Sequence, residues 1–240
     1  MAQFTIHPFV VGVNETDQGI MTYQRGYGTR IHLPIYVFYL SGGSRHILVD
    51  TGLEDFVVPD GVEELYGFKV VSFEEALAKV GITPEEVDLV IQTHLHNDHC
   101  ENTYKCTQAK VLVQQAEYDF AMNPHPIDHR YFPDLLEGLD FEFIQGDREI
   151  EPGLGVILTP GHSPGGQSVV VDTAAGKAVI TGFCCNDKNF PKNAPVCAPG
   201  VHLDAIQALE SAQRVKDLAD ILLPCHDLSI GARERIPEGN

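Results

Sequence analysis

Three histidines and an aspartate fall within the six-residue stretch His94-Leu95-His96-Asn97-Asp98-His99. Imidazole and carboxylate together suit zinc, iron or manganese. His94 and His96 lie two apart, so on an extended segment both project to the same side and can share one metal. Asp98 and His99 follow where the chain should turn, and they can face a second metal nearby. A single metal held by three protein ligands and a water already suffices for hydrolysis. A solvated polar loop seldom concentrates four ligand types directly after a buried apolar strand, and Val87–Thr93 reads as such a strand.

Two more of the 11 histidines have suggestive settings. His162 lies in Thr159-Pro160-Gly161-His162-Ser163-Pro164-Gly165-Gly166, a loop dense in glycine and proline after an apolar strand. His226 follows the short strand Ile221–Leu223 in Pro224-Cys225-His226-Asp227. Functional loops gather at strand ends.

The elements that must position these side chains are short. Strands are expected at Thr5–Val13, Leu33–Leu40, His46–Val49, Val87–Thr93, Lys110–Val113, Phe141–Ile144, Val156–Thr159, Ser168–Asp172, Ala178–Thr181 and Ile221–Leu223. Ser72-Phe73-Glu74-Glu75 fits a capping box, opening a helix that runs to about Lys79 and stops at Gly81. Further helices are expected over Gln115–Met122 and Asp204–Ala219, the latter with an apolar face of Ile206, Leu209, Ala212, Val215 and Leu218. The segment 123–134, rich in proline and histidine, reads as a loop that lines the substrate pocket, with His125, His129 and Tyr131 as polar candidates. Many short strands in two runs, each closing with helices, predict an α/β sandwich of sheets covered by outer helices.

Composition limits the partners. The chain has 240 residues, 43% apolar and 21% charged, as ordinary globular proteins do. A net charge of -18 repels nucleic-acid phosphates and anionic lipid. A small-molecule substrate is therefore expected, with no nucleic acid and no membrane. No apolar run approaches the length of a bilayer span. Met1-Ala2-Gln3-Phe4-Thr5 has no basic segment leading into an apolar one, so no secretory signal is expected. The six cysteines form no disulfide framework, which makes a reducing cytoplasm the default. A homodimer is the commonest closed assembly.

On these residues the chain resembles the metallo-β-lactamase superfamily. His94–His99 matches its HxHxDH motif, and Asp50-Thr51-Gly52 is similar to its early Asp-Thr-Gly turn. The loops around His162 and His226 are similar to its third-histidine and last-histidine loops. The resemblance implies an α/β fold of the αββα four-layer kind, as a single domain over residues 1–240, with metals at one edge between the sheets. It implies two divalent metal ions, zinc first and iron or manganese as the other choices. His94, His96 and His162 would hold the first metal, and Asp98, His99 and His226 the second. Asp50 would buttress the cluster without ligating.

Within the superfamily the chain is most similar to the N-acyl-homoserine lactonase-like hydrolases. Three features carry this: the strand pair Leu33–Leu40 and His46–Val49 before the Asp-Thr-Gly turn, the small Cys100 after His99, and the segment Glu117–Pro124. One departure stands out. Those lactonases bridge both metals with an aspartate, whereas here Thr181-Gly182-Phe183-Cys184-Cys185-Asn186-Asp187 puts Phe183 at the matching position. Three replacements are open. Cys184 supplies a thiolate, with Cys185 as its neighbour; or Asp187 reaches back; or no protein group bridges. Cys184 is the favoured metal ligand, and a thiolate would favour zinc.

The function implied is a metal-dependent hydrolase. A metal-bound hydroxide would attack the carbonyl of a lactone, ester or thioester, and Asp98 would orient the water. The lactonase tyrosine that donates to the oxyanion has no counterpart, and Asn186 is the candidate substitute. Two other readings are an iron-dependent oxidoreductase on the same fold and a metal-binding protein without activity.

Overall fold

The computed structural model describes residues 3–55 and 58–238. A six-stranded sheet sets β1 (Thr5–Asp17), β2 (Arg30–Ser41), β3 (Ile47–Val49), β4 (Leu89–Ile91), β5 (Lys110–Gln114) and β6 (Phe141–Ile144) side by side in chain order. β1, β2 and β3 pair antiparallel, while β3 to β6 run parallel. A five-stranded sheet has the order β11 (Ile221–Leu223), β10 (Gly176–Ile180), β9 (Gln167–Thr173), β8 (Leu154–Leu158) and β7 (Arg148–Glu151). The helices are α1 (Gln18–Met21), α2 (Val62–Tyr66), α3 (Phe73–Ala78), α4 (Asn97–Cys100), α5 (Gln115–Ala121) and α6 (Ala205–Leu218).

Strand periodicity explains the layers. In β2, Tyr36, Phe38 and Leu40 enter the core between the sheets, and Ile35, Val37 and Tyr39 enter the outer core with Phe73, Ala76 and Leu77 of α3. In β10, Ala178 and Ile180 face the inner core and Val179 faces Ala212 and Val215 of α6. Successive side chains alternate faces, so a strand covered on both sides reads as a continuous apolar run. The result is helix, sheet, sheet, helix. It is the αββα sandwich that the sequence predicts.

The sheets are also tied through polar groups. Gln167 N–H donates to Thr93 O at 2.9 Å, and its side-chain amide donates to Gln92 O at 2.8 Å. Gln114 Nε2 donates to Gln167 Oε1 at 2.9 Å. All three glutamines are buried, so each bond answers a desolvation cost.

Several elements differ from expectation. β1 continues to Asp17 because Asn14–Asp17 pair with β2, although their side chains show no apolar alternation. β7, Arg-Glu-Ile-Glu, lacks an apolar signal because it is a charged edge strand. α6 lies within the expected span, and Asp204 caps it by accepting from the N–H groups of Ile206 and Gln207. Its buried face, however, is Ala208, Ser211, Ala212 and Val215, and Ile206 is 71% exposed. The helix backbone comes close to the His162 loop there: a Cβ on Gly161 would lie 2.2 Å from Ala208 N.

The topology brings the candidate residues to one edge. β3 and β4 are parallel, so Asp50 and His94 follow neighbouring C-terminal ends. β8 and β10 both run antiparallel to β9, and β11 is parallel to β10. The loops carrying His162, Cys184 and His226 therefore leave the second sheet on the same side.

Candidate metal centre

His94, His96 and His162 converge, with one donor atom from each within 4.8 Å of the others. His99 and His226 form a second group, and the third member is Cys225. Asp98 Oδ2 lies 3.6 Å from His99 Nε2 and 3.9 Å from His226 Nε2. Every one of these histidines is buried.

Hydrogen bonds fix which nitrogen each ring presents. Asp50, at φ 57, turns back to accept Thr93 N–H and Thr93 O–H, both at 2.7 Å. Thr93 Oγ1 in turn accepts His94 Nδ1–H at 3.0 Å. His99 Nδ1–H donates to Asp50 Oδ2 at 2.7 Å. His162 Nδ1–H donates to Val201 O at 2.8 Å, and His226 Nδ1–H donates to Pro34 O at 2.9 Å. These four rings turn Nε2 toward the site. His96 is the reverse: Nε2–H donates to Asp128 Oδ2 at 3.1 Å, which leaves Nδ1. Such outer partners set tautomer and orientation at metal sites. Nε2 of His94 and of His99 are buried and have no hydrogen-bond partner. Orphaned buried acceptors are costly, and a divalent cation among them would answer that cost. The residues present therefore fit a metal.

The electrostatics separate the two groups. Burial holds His94 and His162 well below the usual imidazole range, helped by the neighbouring histidines. Burial also lowers His96, against the pull of Asp128. Neutral rings are the ligating form. Burial would lower His99 too, but Asp98 and Asp50 outweigh it and raise it. Burial would raise Asp98, yet His99, His226 and His96 hold its carboxyl down. Cys225 is buried, which disfavours its thiolate, but Cys185 and His226 outweigh burial and hold the thiol well below its usual range. Burial would lower His226, and the Cys225 sulfur more than offsets it, raising His226 well above its usual value.

The structure separates the three replacements for a bridging aspartate. Phe183 is 1% exposed and packs in the outer layer with Val179 and Val215. The Asp187 side chain is on the surface, paired with Lys188 at 2.8 Å, and is not turned to the site. Cys184 lines the cavity, and its S–H donates to Met21 Sδ at 3.4 Å, outside the two converging groups. Asn186 caps a short turn, accepting from Lys188 N–H and donating to Gln18 Oε1, so it is spent away from the cavity. His125 and His129 are exposed. Tyr131 is buried, stacks edge-on to His96 at 4.5 Å, and donates to Glu117.

Supporting residues outside the histidine motifs complete the centre. Glu117, 0% exposed, accepts from Leu95 N–H at 3.0 Å, Tyr131 O–H at 2.9 Å and Gly165 N–H at 2.9 Å. One carboxylate thus ties the HxHxDH segment, the 123–134 loop and the His162 loop. Arg130 Nε and Nη2 grip Asp128 at 2.7 and 2.6 Å, fixing the partner of His96.

The five histidines of the two groups open into a cavity of about 370 Å³. Ile20, Leu33 and Leu53 supply apolar wall, and Arg130 supplies a cation. A cleft of about 410 Å³ over β7 and β8 and one of about 520 Å³ beside α6 are larger, but neither is lined by a histidine. The chemistry lies in the smaller cavity.

Comparison with known proteins bears on this arrangement. Residues 31–226 match the family model of the metallo-beta-lactamase superfamily. An N-acyl homoserine lactonase of a Bacillus species is 30% identical over 206 residues, covering 80% of this chain and 78% of the relative. A solved N-acyl homoserine lactone hydrolase, with the product N-hexanoyl-L-homoserine bound at its catalytic metal center, superposes with a TM-score of 0.75 at 27% identity, covering 95% of this chain and 94% of that one. AidC, a dizinc quorum-quenching lactonase, shares the fold with a TM-score of 0.73 at 17% identity, covering 100% of this chain and 96% of that one. These relatives support hydrolysis and neither the iron oxidoreductase nor the inactive metal-binding reading. The chain belongs to the metallo-beta-lactamase superfamily, as a lactonase-like metallo-hydrolase.

Proposed function

We propose that the chain opens a lactone ring that carries an apolar substituent, using two divalent metal ions, zinc in the first instance. The observation that carries this is a single cavity joining His94, His96, His162, Asp98, His99 and His226 to the apolar wall of Ile20, Leu33 and Leu53. His94, His96 and His162 would hold one ion and Asp98, His99 and His226 would contribute to the other. Bound there, the ions would acidify a water and polarise the carbonyl. Asp98, held ionised by the surrounding histidines, orients the attacking water. Arg130 stands at the cavity with its fork committed to Asp128, and its positive field favours the oxygen that gains charge. The apolar wall seats the substituent. N-acyl homoserine lactones meet this description, as the names of the relatives suggest.

All six cysteines are free and buried, which suits the cytoplasm, a reducing compartment. Among the described residues no helix is long and apolar enough to cross a membrane.

The test is a panel of γ-lactones with and without acyl chains, open-chain esters and thioesters, followed by proton release with zinc-loaded protein. Faster turnover of acylated lactones than of open-chain esters is expected. Turnover of esters or thioesters with none of lactones would overturn the substrate class.

A further inference from the structure

We propose that Cys225 is a metal ligand that joins His99 and His226, with Asp98 beside them, so that its thiolate gives the second ion an anionic donor where the bridging carboxylate is missing. This rests on the reading that metals occupy the cavity, and it changes which side chains hold the second one.

Distances carry the argument. One donor atom each from His99, Cys225 and His226 lies within 4.8 Å of the others. Asp98 Oδ2 adds a fourth at 3.6 and 3.9 Å from the two imidazoles. A tetrahedral zinc with bonds of its usual length separates its donors by about 3.3–3.8 Å. The three-donor group is thus near a coordination shell, and Asp98, outside that group, approaches it from the side of the two imidazoles. His99 Nε2 supplies an independent sign, since the residue is 4% exposed and that nitrogen has no partner.

The backbone holds the cysteine in place. Cys225 N–H donates to Thr181 Oγ1 at 2.9 Å, which pins the end of β11 to the end of β10. As a thiol, Cys225 donates to Phe183 O at 3.0 Å. On coordination the S–H proton leaves to solvent, that bond is given up, and sulfur donates its electron pair to the cation. Cys184 also lines the cavity beside His226, but its S–H is directed to Met21 Sδ and it belongs to neither converging group.

The two sites then differ in kind. Three imidazoles leave one position open at the first, and the thiolate gives the second a sulfur donor that the first lacks. A thiolate also biases the second site toward zinc over manganese or magnesium.

Cobalt(II) titration of the metal-free protein tests this. Sulfur coordination gives a near-ultraviolet charge-transfer band that histidine and carboxylate do not. The band is expected to grow with the second equivalent, to persist in Cys184→Ser, and to vanish in Cys225→Ser with second-ion affinity reduced roughly tenfold or more. Zinc-edge absorption on the Cys184→Ser protein makes the test independent of how Cys225→Ser folds: a sulfur neighbour at about 2.3 Å must remain. Loss of the band or of that neighbour in Cys184→Ser assigns the thiolate to Cys184 and overturns the proposal. Two bound cobalt ions without a band overturn it while leaving metal binding intact. Failure to bind cobalt at all overturns the metal reading and this proposal together.

Discussion

His99 Nδ1 lies 2.7 Å from Asp50 Oδ2, and both groups are buried. That contact fixes the ring so that Nε2 faces Asp98 and the second donor group. Asp50→Asn removes the charge that favours this tautomer. It is expected to weaken binding of the second metal about 10–100-fold, and the first by less, through Thr93 and His94. Competition with a chromophoric chelator reads both constants. Equal weakening of both sites would show that Asp50 acts only through the fold.

Glu117 predicts a large stability effect. Its carboxylate answers three donors from three loops. Glu117→Ala leaves each buried donor without its acceptor, at about 1–3 kcal/mol apiece. The melting temperature is expected to fall by at least roughly 5 °C, as about 2 kcal/mol does in a chain of this size. Scanning calorimetry decides, and an unchanged transition would mean that the carboxylate is dispensable.

Gly161 stands at φ +115 beside the first turn of α6. Gly161→Ala meets Ala208 N at 2.2 Å, and the backbone strain alone costs about 1–3 kcal/mol. Because Leu203 N–H and Asp204 N–H both donate to Gly161 O, the shift carries into the His162 loop. Urea unfolding is expected to show the loss, accompanied by weaker binding at the first site. A variant as stable as the parent would contradict the close approach.

Cys106 gives a pH dependence remote from the metals. Burial raises its thiol from 9.0 to about 12. A folded value raised above the unfolded one contributes stability that is complete below the unfolded value and lost as pH rises toward the folded value. Stability is therefore expected to decline between about pH 9 and 12, and Cys106→Ala should flatten that decline. Denaturant midpoints across the interval measure it, and parallel curves for both proteins would refute it.

The site was legible where residue types alone carry chemistry. His94, His96, Asp98 and His99 announce themselves by spacing, and His162 and His226 by their loops. The supporting residues do not. Glu117 sits in Gln115-Ala116-Glu117-Tyr118, which reads as a solvated helix start, and only the packing of three loops buries it. Asp128 and Arg130 lie in an irregular segment, and their role depends on how that segment folds over His96. Cys225 gives no periodic or motif signal, and its meaning comes from the parallel pairing of β10 and β11. The layers were readable because both faces of the central strands are apolar. The buried face of α6 was not, because its apolar spacing also admits the exposed Ile206 and Leu209.

The most direct measurement is the rate of acyl-lactone ring opening as zinc is titrated into metal-free protein, with His162→Ala alongside. The rate is expected to rise with bound zinc and to plateau at two ions per chain, and His162→Ala is expected to lose most of it. Ring opening that proceeds unchanged without metal, or no turnover at full occupancy, would contradict a metal-dependent lactonase centred on His94–His99.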